Sequence, residues 1–315
     1  MSLYFDNTRV EAAKKCLRKY YFRHVRHWRK EGTAIPLAFG EGWHRGMDIL
    51  WQEPTYPDIV DKAMMAWESA YLEYDVDFRS PAFALQEMRN EGTARDMFNN
   101  YITQNKEFLS NIDLLHVEQP FVVPLYTGGD VFYVGRWDKV FNMKKGTYIV
   151  DHKTTSLYAK NGFFRQYWVS GFANNAQIDG YAYAAYMAFD EKFAGVWIDG
   201  ALVHKTVHNG FMFIPLSKSI LSTEAWLNDT RWWIQRIIDE QVRYEGREPE
   251  TLGNVLKTFP KNTGSCMEFG QVCPYFDICR FVPNPETLRT VPEDFVVDKW
   301  EPFDELKLDT IGLKK

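Results

Sequence analysis

Near Leu114 the hydrophobic period of this chain changes from helical to alternating, and that change constrains the fold more than any other feature. Upstream, Thr8 and Glu11 have the spacing of a capping box and predict a first helix to about Tyr21. Residues 37–51, 57–74 and 81–106 carry apolar residues at three- and four-residue spacings and also read as helices. Pro57 and Pro81 fall near the starts of the second and third of these, where proline is tolerated.

Downstream, HVEQPFVVPLY, DVFYVGRWDKVFNM and YIVDHK read as three strands, separated by the turn signals TGGD and KKGT. Residues 173–190 form a small-residue and aromatic helix, FAGVWIDGALVHK and FMFIPL two more strands, and 223–245 another helix. The expected fold class is α/β: a central mixed sheet, an N-terminal helical region, and a C-terminal cysteine-rich loop closing onto the N-terminal helix. The 315 residues are read as one domain, with a helical region at 1–110, an α/β core at 111–245 and a cysteine-rich region and tail at 246–315.

Two carboxylates and a lysine stand out within the strands. Residues two apart on a strand share a face, so Asp151 and Lys153 project together while His152 faces the other way. A hairpin at KKGT brings Asp138, at the end of the second strand, beside Asp151. Paired carboxylates make a hard oxygen site suited to Mg²⁺ or Mn²⁺. Such an ion orients a phosphate and activates a water, and a neighbouring lysine positions that water or stabilises developing charge. An isolated Asp-x-Lys is more often a turn acid and a solvated charge, so the surrounding sequence decides.

VGRWDKV followed by YIVDHKTTS resembles the G-x-x-D and (D/E)-x-K motifs of the PD-(D/E)XK nuclease superfamily. AQIDGYAYAA resembles the Q-x-x-x-Y helix of its RecB-like branch, and FGEGWHRGM its G-x-x-x-H segment. The four motifs occur in the family's order between about residues 37 and 185. The resemblance implies that Asp138 and Asp151 bind metal, helped by His44 and the backbone carbonyl of His152. It implies that Lys153 positions the nucleophilic water, and that Gln177 and Tyr181 orient Lys153 or the DNA strand. Glu118, in HVEQPF, is a further candidate acid, and as readily a solvated strand-end charge.

Four cysteines need a separate account. Cys266, Cys273 and Cys279 share the loop GSCMEFGQVCPYFDICR, and Cys16 lies in the first helix. Four thiolates suit a 4Fe–4S cluster or a zinc ion, and spacing alone does not choose. One N-terminal and three C-terminal cysteines around a RecB-like core is similar to the iron–sulfur nucleases, which include CRISPR adaptation exonucleases and the AddB recombination subunit. The departure is the gap between Cys266 and Cys273, six residues where that group usually has two.

The stretch KKCLRKYYFRHVRHWRK holds eight Lys or Arg and no acid, with Tyr and Trp interleaved. Lys15, Arg18, Lys19, Arg23, Arg26, Trp28 and Arg29 are therefore candidates for single-strand binding by phosphate neutralisation and base stacking. The competing reading is a packed aromatic face with a solvated basic one. Lys160, Arg165 and Lys205 are weaker candidates. Net charge is −5, so any nucleic-acid surface must be local. The polar N-terminus lacks the apolar segment of a signal peptide, and no apolar run reaches transmembrane length, so a cytoplasmic protein without membrane contact is expected.

The expected function is a metal-dependent deoxyribonuclease, an exonuclease on single-stranded DNA ends, in recombination, repair or CRISPR adaptation, of host or phage. The alternative is a non-catalytic nucleic-acid-binding subunit that keeps the fold inside a larger complex.

Overall fold

The computed structural model describes residues 2–32, 35–73, 86–144, 146–160, 163–246, 253–268 and 270–300. In chain order the elements are β1 (Leu3–Phe5), α1 (Asn7–Lys15), α2 (Leu17–Tyr20), β2 (Trp28–Lys30), α3 (Ile35–Gln52), α4 (Ile59–Glu73), α5 (Glu91–Asn111), β3 (Asp113–Pro124), β4 (Val131–Met143) and β5 (Gly146–Thr155). They continue with β6 (Tyr158–Ala159), β7 (Phe163–Phe164), α6 (Gln166–Gly171), α7 (Ala176–Phe189), β8 (Phe193–Leu202), β9 (Phe211–Leu216), α8 (Ile220–Glu245), β10 (Met267–Glu268), β11 (Gln271–Val272), α9 (Phe276–Phe281) and β12 (Phe295–Val297).

The sheet is mixed, in the order β1–β4–β5–β8–β9, with β3 also pairing with β4. β4 and β5 are an antiparallel hairpin, β5 and β8 run parallel, and β8 and β9 are antiparallel. The parallel pair needs a crossover, and α7 supplies it.

Two compact units divide the chain. One takes in the described residues within 35–121 and 136–223; the other takes in those within 2–32, 122–135 and 224–300. In the first, the sheet unit, the buried face of α3 recurs every three or four residues as Ala38, Phe39, Gly42, Trp43, Gly46, Met47, Leu50 and Trp51. Gly42 and Gly46 are small for a reason: a Cβ there would meet Trp67 at 2.6 Å and Phe98 at 2.2 Å. Trp43 then stacks on Phe98 at 4.8 Å.

In the second, the cysteine-rich unit, β1 pairs parallel with β4 from Leu3↔Val131 to Phe5↔Tyr133, and β2 pairs antiparallel with β12. Tyr20, Tyr21 and Phe22 are fully buried here. Glu240, also fully buried, accepts from the Phe259 amide at 2.7 Å.

Several expected boundaries move. The first helix is capped by Asp6, whose side chain accepts from the Arg9 amide at 2.7 Å, rather than by Thr8. It breaks at Cys16, which is extended (φ −166°, ψ 118°), and residues Tyr21–Val25 form a wider, π-type turn. The third long helix starts at Glu91 because Asn90 caps it, accepting from the Thr93 amide at 2.9 Å; residues 86–90 are not helical, and 74 and 81–85 of the expected helices lie outside the described residues. Lys145 of the KKGT turn and the tail from 301 lie outside them too. No helix among the described residues is long and apolar enough to cross a membrane.

Candidate metal-dependent active site

The site lies in the sheet unit, where the β4–β5 hairpin opens. Ladder pairing runs from Met143↔Gly146 to Lys139↔Val150 and stops there. The next pair in register is Asp138 with Asp151, and in place of a ladder bond the His152 amide donates to Asp138 Oδ2 at 2.7 Å. Hairpin register therefore sets the two carboxylates side by side where the strands part.

α3 brings His44 in from one turn above Asp48, on the same helical stripe. His44 Nδ1 lies 3.2 Å from Asp138 Oδ2. Asp48 pairs with Lys139 at 2.5 Å, and the Lys139 side chain has no exposed surface. Glu118 comes from β3 with a left-handed backbone (φ 52°), a conformation disfavoured for a residue with a Cβ. One of its oxygens meets Arg136 Nε at 2.6 Å, and the other, Oε1, is buried without a hydrogen-bond partner.

One donor atom from each of His44, Glu118 and Asp138 falls within 4.8 Å of the others. Two carboxylates and an imidazole fit a divalent ion such as Mn²⁺ or Mg²⁺, and the orphaned buried Glu118 oxygen is chemically suited to such a donor set. Asp151, almost fully buried, is engaged by its own lysine: Lys153 Nζ lies 3.0 Å from Oδ1 and 2.8 Å from Oδ2.

The electrostatics follow from this crowding. Burial works to raise the Asp138 carboxyl, but His44, with His152 and Lys139, outweighs it and holds Asp138 below the usual carboxylate range. His44 is raised in turn, because Asp138 overcomes its burial. Glu118 is pushed up to about 7, first by burial and then by Asp138 and Asp48. Burial also raises Asp151, against the pull of Lys153. Burial lowers Lys153, but Asp151 and Asp138 more than compensate, so its pKa is raised and it stays cationic at neutral pH.

Gln177 and Tyr181, on α7, are joined by a hydrogen bond from Gln177 Nε2 to the Tyr181 hydroxyl at 3.1 Å. His152 faces the core, as strand alternation requires, and its Nδ1 lies 3.0 Å from Asp199 Oδ2. Asp199, Tyr101, Asp48 and Lys139 were not singled out by the sequence. Asp48 one turn past His44, and an acid in WIDG in register with His152 across the β5–β8 pair, were the available signals.

Several side chains of the N-terminal basic run are engaged within their own unit. Arg18 is 3% exposed, and it donates to the carbonyls of Phe259, Leu256 and Thr258 at 3.0, 3.1 and 3.4 Å. Trp28 is buried beneath Arg26, whose guanidinium sits 4.3 Å above the indole centroid and donates to the carbonyls of Pro285 and Leu288. Arg23 and Arg29 both pair with Asp298 at 2.9 Å, and Lys15 pairs with Glu268 at 3.0 Å. Arg18, Arg23, Arg26 and Trp28 are thus consumed inside their own unit, because a helix this aromatic must pack. Among the weaker candidates, Arg165 donates to the Tyr158 carbonyl, Lys205 lies 3.7 Å from Glu87, and Lys160 is exposed.

The cysteine-rich loop does close onto the N-terminal helix. The Asn262 amide donates to Cys16 Sγ at 3.3 Å, and Asn262 and Ser265 both donate to the Lys15 carbonyl. The Cys273 amide donates to the Cys266 carbonyl at 2.9 Å. All four cysteines are free thiols. Burial raises Cys279 to about 11, Lys261 and Arg18 oppose that, and Cys16 and Cys273 add to it.

A family model of the PD-(D/E)XK nuclease superfamily matches residues 7–280. The chain belongs to that superfamily. Among solved structures, a protein of Eubacterium rectale described as a candidate exonuclease is 15% identical, with 78% of this chain and 83% of that one covered and a TM-score of 0.48. A second, designated SSO0001, is 12% identical over 70% of this chain and 84% of its own, with a TM-score of 0.25. No curated protein sequence matches the chain. Membership of this superfamily supports a nuclease, a class that typically uses divalent metals, and the chain carries a His44, Glu118 and Asp138 group of the matching chemistry.

Proposed function

We propose that this nuclease is a RecB-like, metal-dependent exonuclease of single-stranded DNA ends, serving recombination, repair or CRISPR adaptation. The observation that carries the metal centre is the convergence of His44, Glu118 and Asp138 donor atoms within 4.8 Å, beside the Asp151–Lys153 pair. In this reading His44, Glu118 and Asp138 hold Mn²⁺ or Mg²⁺, with Asp151 and the His152 carbonyl completing the ligands. The bound ion supplies Lewis acidity at the scissile phosphate and lowers the pKa of a coordinated water.

Lys153, kept cationic by Asp151, orients the attacking water and stabilises negative charge building on the phosphate oxygens. Gln177 and Tyr181, tied to one another, line the α7 side and position the strand. Lys15, Lys19 and Arg29 are what remains of the basic run to meet a DNA backbone.

Cys16, Cys266, Cys273 and Cys279 hold a structural 4Fe–4S cluster in this reading, with zinc as the alternative. The reading rests on the donor type, four free thiols in one unit, with Cys16 and Cys273 near enough to act on the Cys279 thiol. Elemental analysis of anaerobically purified protein separates the two. About four irons per chain are expected, while zinc without iron overturns the cluster and leaves the nuclease reading intact.

End-labelled single- and double-stranded DNA, incubated with Mn²⁺, Mg²⁺ or chelator, tests the activity. Metal-dependent release of short products from single-stranded ends is expected. Internal cuts would replace exonuclease by endonuclease, and binding without cleavage under every metal would leave a non-catalytic subunit.

A further inference from the structure

The β4–β5 ladder ends just before the site, and among the described residues the bond from the His152 amide to Asp138 is what ties residues 151–153 to the β4 side. A metal centre needs its ligands held, and the holding must come from elsewhere. It comes from the opposite side of β5. There the β8 ladder continues through Asp151↔Ile198, His152↔Asp199 and Lys153↔Gly200.

On the same side runs a chain of four buried polar groups. His152 Nδ1 lies 3.0 Å from Asp199 Oδ2, the Tyr101 hydroxyl donates to the same oxygen at 2.6 Å, and Trp51 Nε1 donates to the Tyr101 oxygen at 3.1 Å. The four residues come from β5, β8, α5 and α3, and each is at most 1% exposed. A carboxylate only accepts, so Asp199 fixes the His152 proton on Nδ1. The tyrosine hydroxyl donates to Asp199 and accepts from Trp51, so every bond in the chain has one direction. Burying a carboxylate, a phenol and an imidazole in an apolar core is expensive, and a fold without use for them would fill the space with carbon.

α3 carries Trp51 at one end of this chain and His44 two turns earlier. His44 and His152 rings lie 5.7 Å apart, edge to face. The network therefore ties together the helix that delivers the imidazole ligand and the strand that delivers Asp151, Lys153 and the amide on Asp138.

We infer that the Trp51–Tyr101–Asp199–His152 chain is a positioning network for the metal centre: it sets the His152 peptide, and through it the spacing of Asp138, Asp151 and Lys153, and so sets metal affinity. The inference rests on the metal-centre reading above. Tyr101→Phe removes one donor from Asp199 and one acceptor from Trp51, and keeps the ring.

Mn²⁺ binding, measured by calorimetry or electron paramagnetic resonance without substrate, reads this directly. Tyr101→Phe and, independently, Trp51→Phe are expected to weaken Mn²⁺ about tenfold, as changes to groups bonded behind metal ligands do. The rate at saturating Mn²⁺ should fall less than the affinity, with KM for DNA unchanged. Ile234→Ala, a core variant in the cysteine-rich unit, supplies the control: it should lower Tm and leave Mn²⁺ affinity as in wild type. If Tyr101→Phe and Trp51→Phe lower Tm like Ile234→Ala and bind Mn²⁺ as wild type does, the network is only structural and the inference is wrong. Absence of Mn²⁺ binding by wild-type protein would instead overturn the metal-centre reading beneath it.

Discussion

Arg18 and Glu118 are both ionisable side chains with little exposed surface, and they illustrate how the two units treat charge. In the cysteine-rich unit the Arg18 guanidinium donates to three backbone carbonyls through Nε and Nη2 and leaves Nη1 buried without a partner, Arg26 covers Trp28, and Arg23 and Arg29 share Asp298. In the sheet unit Glu118 keeps a buried oxygen without a partner, in a left-handed backbone, against His44 and Asp138. Both side chains leave one buried polar atom without a partner, and what separates them is the company it keeps: Arg18 is held against backbone carbonyls, whereas Glu118 stands with an imidazole and a second carboxylate in a donor set that suits a cation.

The comparison predicts opposite kinds of damage. Lys153→Ala should cost about 10²–10³-fold in metal-dependent cleavage, the scale of removing one charge-stabilising donor. Tm should change little, because Asp151, already raised by burial, takes up a proton when its partner is gone. Cleavage within threefold of wild type would break the comparison on its functional side.

Arg18→Ala should do the reverse. Orphaning three carbonyl acceptors in a buried setting should cost roughly 2–4 kcal/mol of stability, read by urea unfolding, with cleavage per folded molecule unchanged. A stable variant with weakened DNA binding would return Arg18 to the substrate surface.

His24 sharpens the same point through pH. Burial, then the nearby charges of Arg9, Arg23 and His27, lower it to about 2, so the native ring is neutral. The unfolded chain takes up that proton at about pH 6.5. Stability is therefore lost as pH falls from about 6.5 toward about 2, by up to about 1.4 kcal/mol per pH unit. His24→Phe should remove this component, so wild type loses more stability than the variant between pH 6 and 5. Parallel losses would show that the ring is protonated in the folded protein.

The smallest effect concerns Arg23 and Arg29. Their shared pair with Asp298 is half exposed, so Asp298→Ala should cost no more than about 1 kcal/mol. By freeing two guanidinium groups it should strengthen DNA binding and steepen its salt dependence if either lies on the DNA path. An unchanged slope would assign both arginines to the fold alone.

These cases also explain what the sequence could disclose. The hairpin was legible because alternation and the KKGT turn fix register, and register alone sets Asp138 beside Asp151. His44 was legible only through its place among ordered motifs. The basic run was ambiguous because Arg, Tyr and Trp are the same residues whether they stack on bases or on each other, and which of them are buried is a tertiary property. Asp199 and Tyr101 were hidden because His152 reads as a filler between two site residues. Only the parallel pairing of β5 with β8 puts Asp199 against it.

The account stands on one claim, that an ion held by His44, Glu118 and Asp138 drives cleavage. Mn²⁺ binding and cleavage of end-labelled single-stranded DNA, measured together for wild type and Asp138→Asn, test it most directly. The predicted result is that wild type binds Mn²⁺ and cleaves, and that Asp138→Asn, folded to the same far-ultraviolet spectrum, loses both. Wild-type cleavage by Asp138→Asn, with Mn²⁺ still bound, would contradict it.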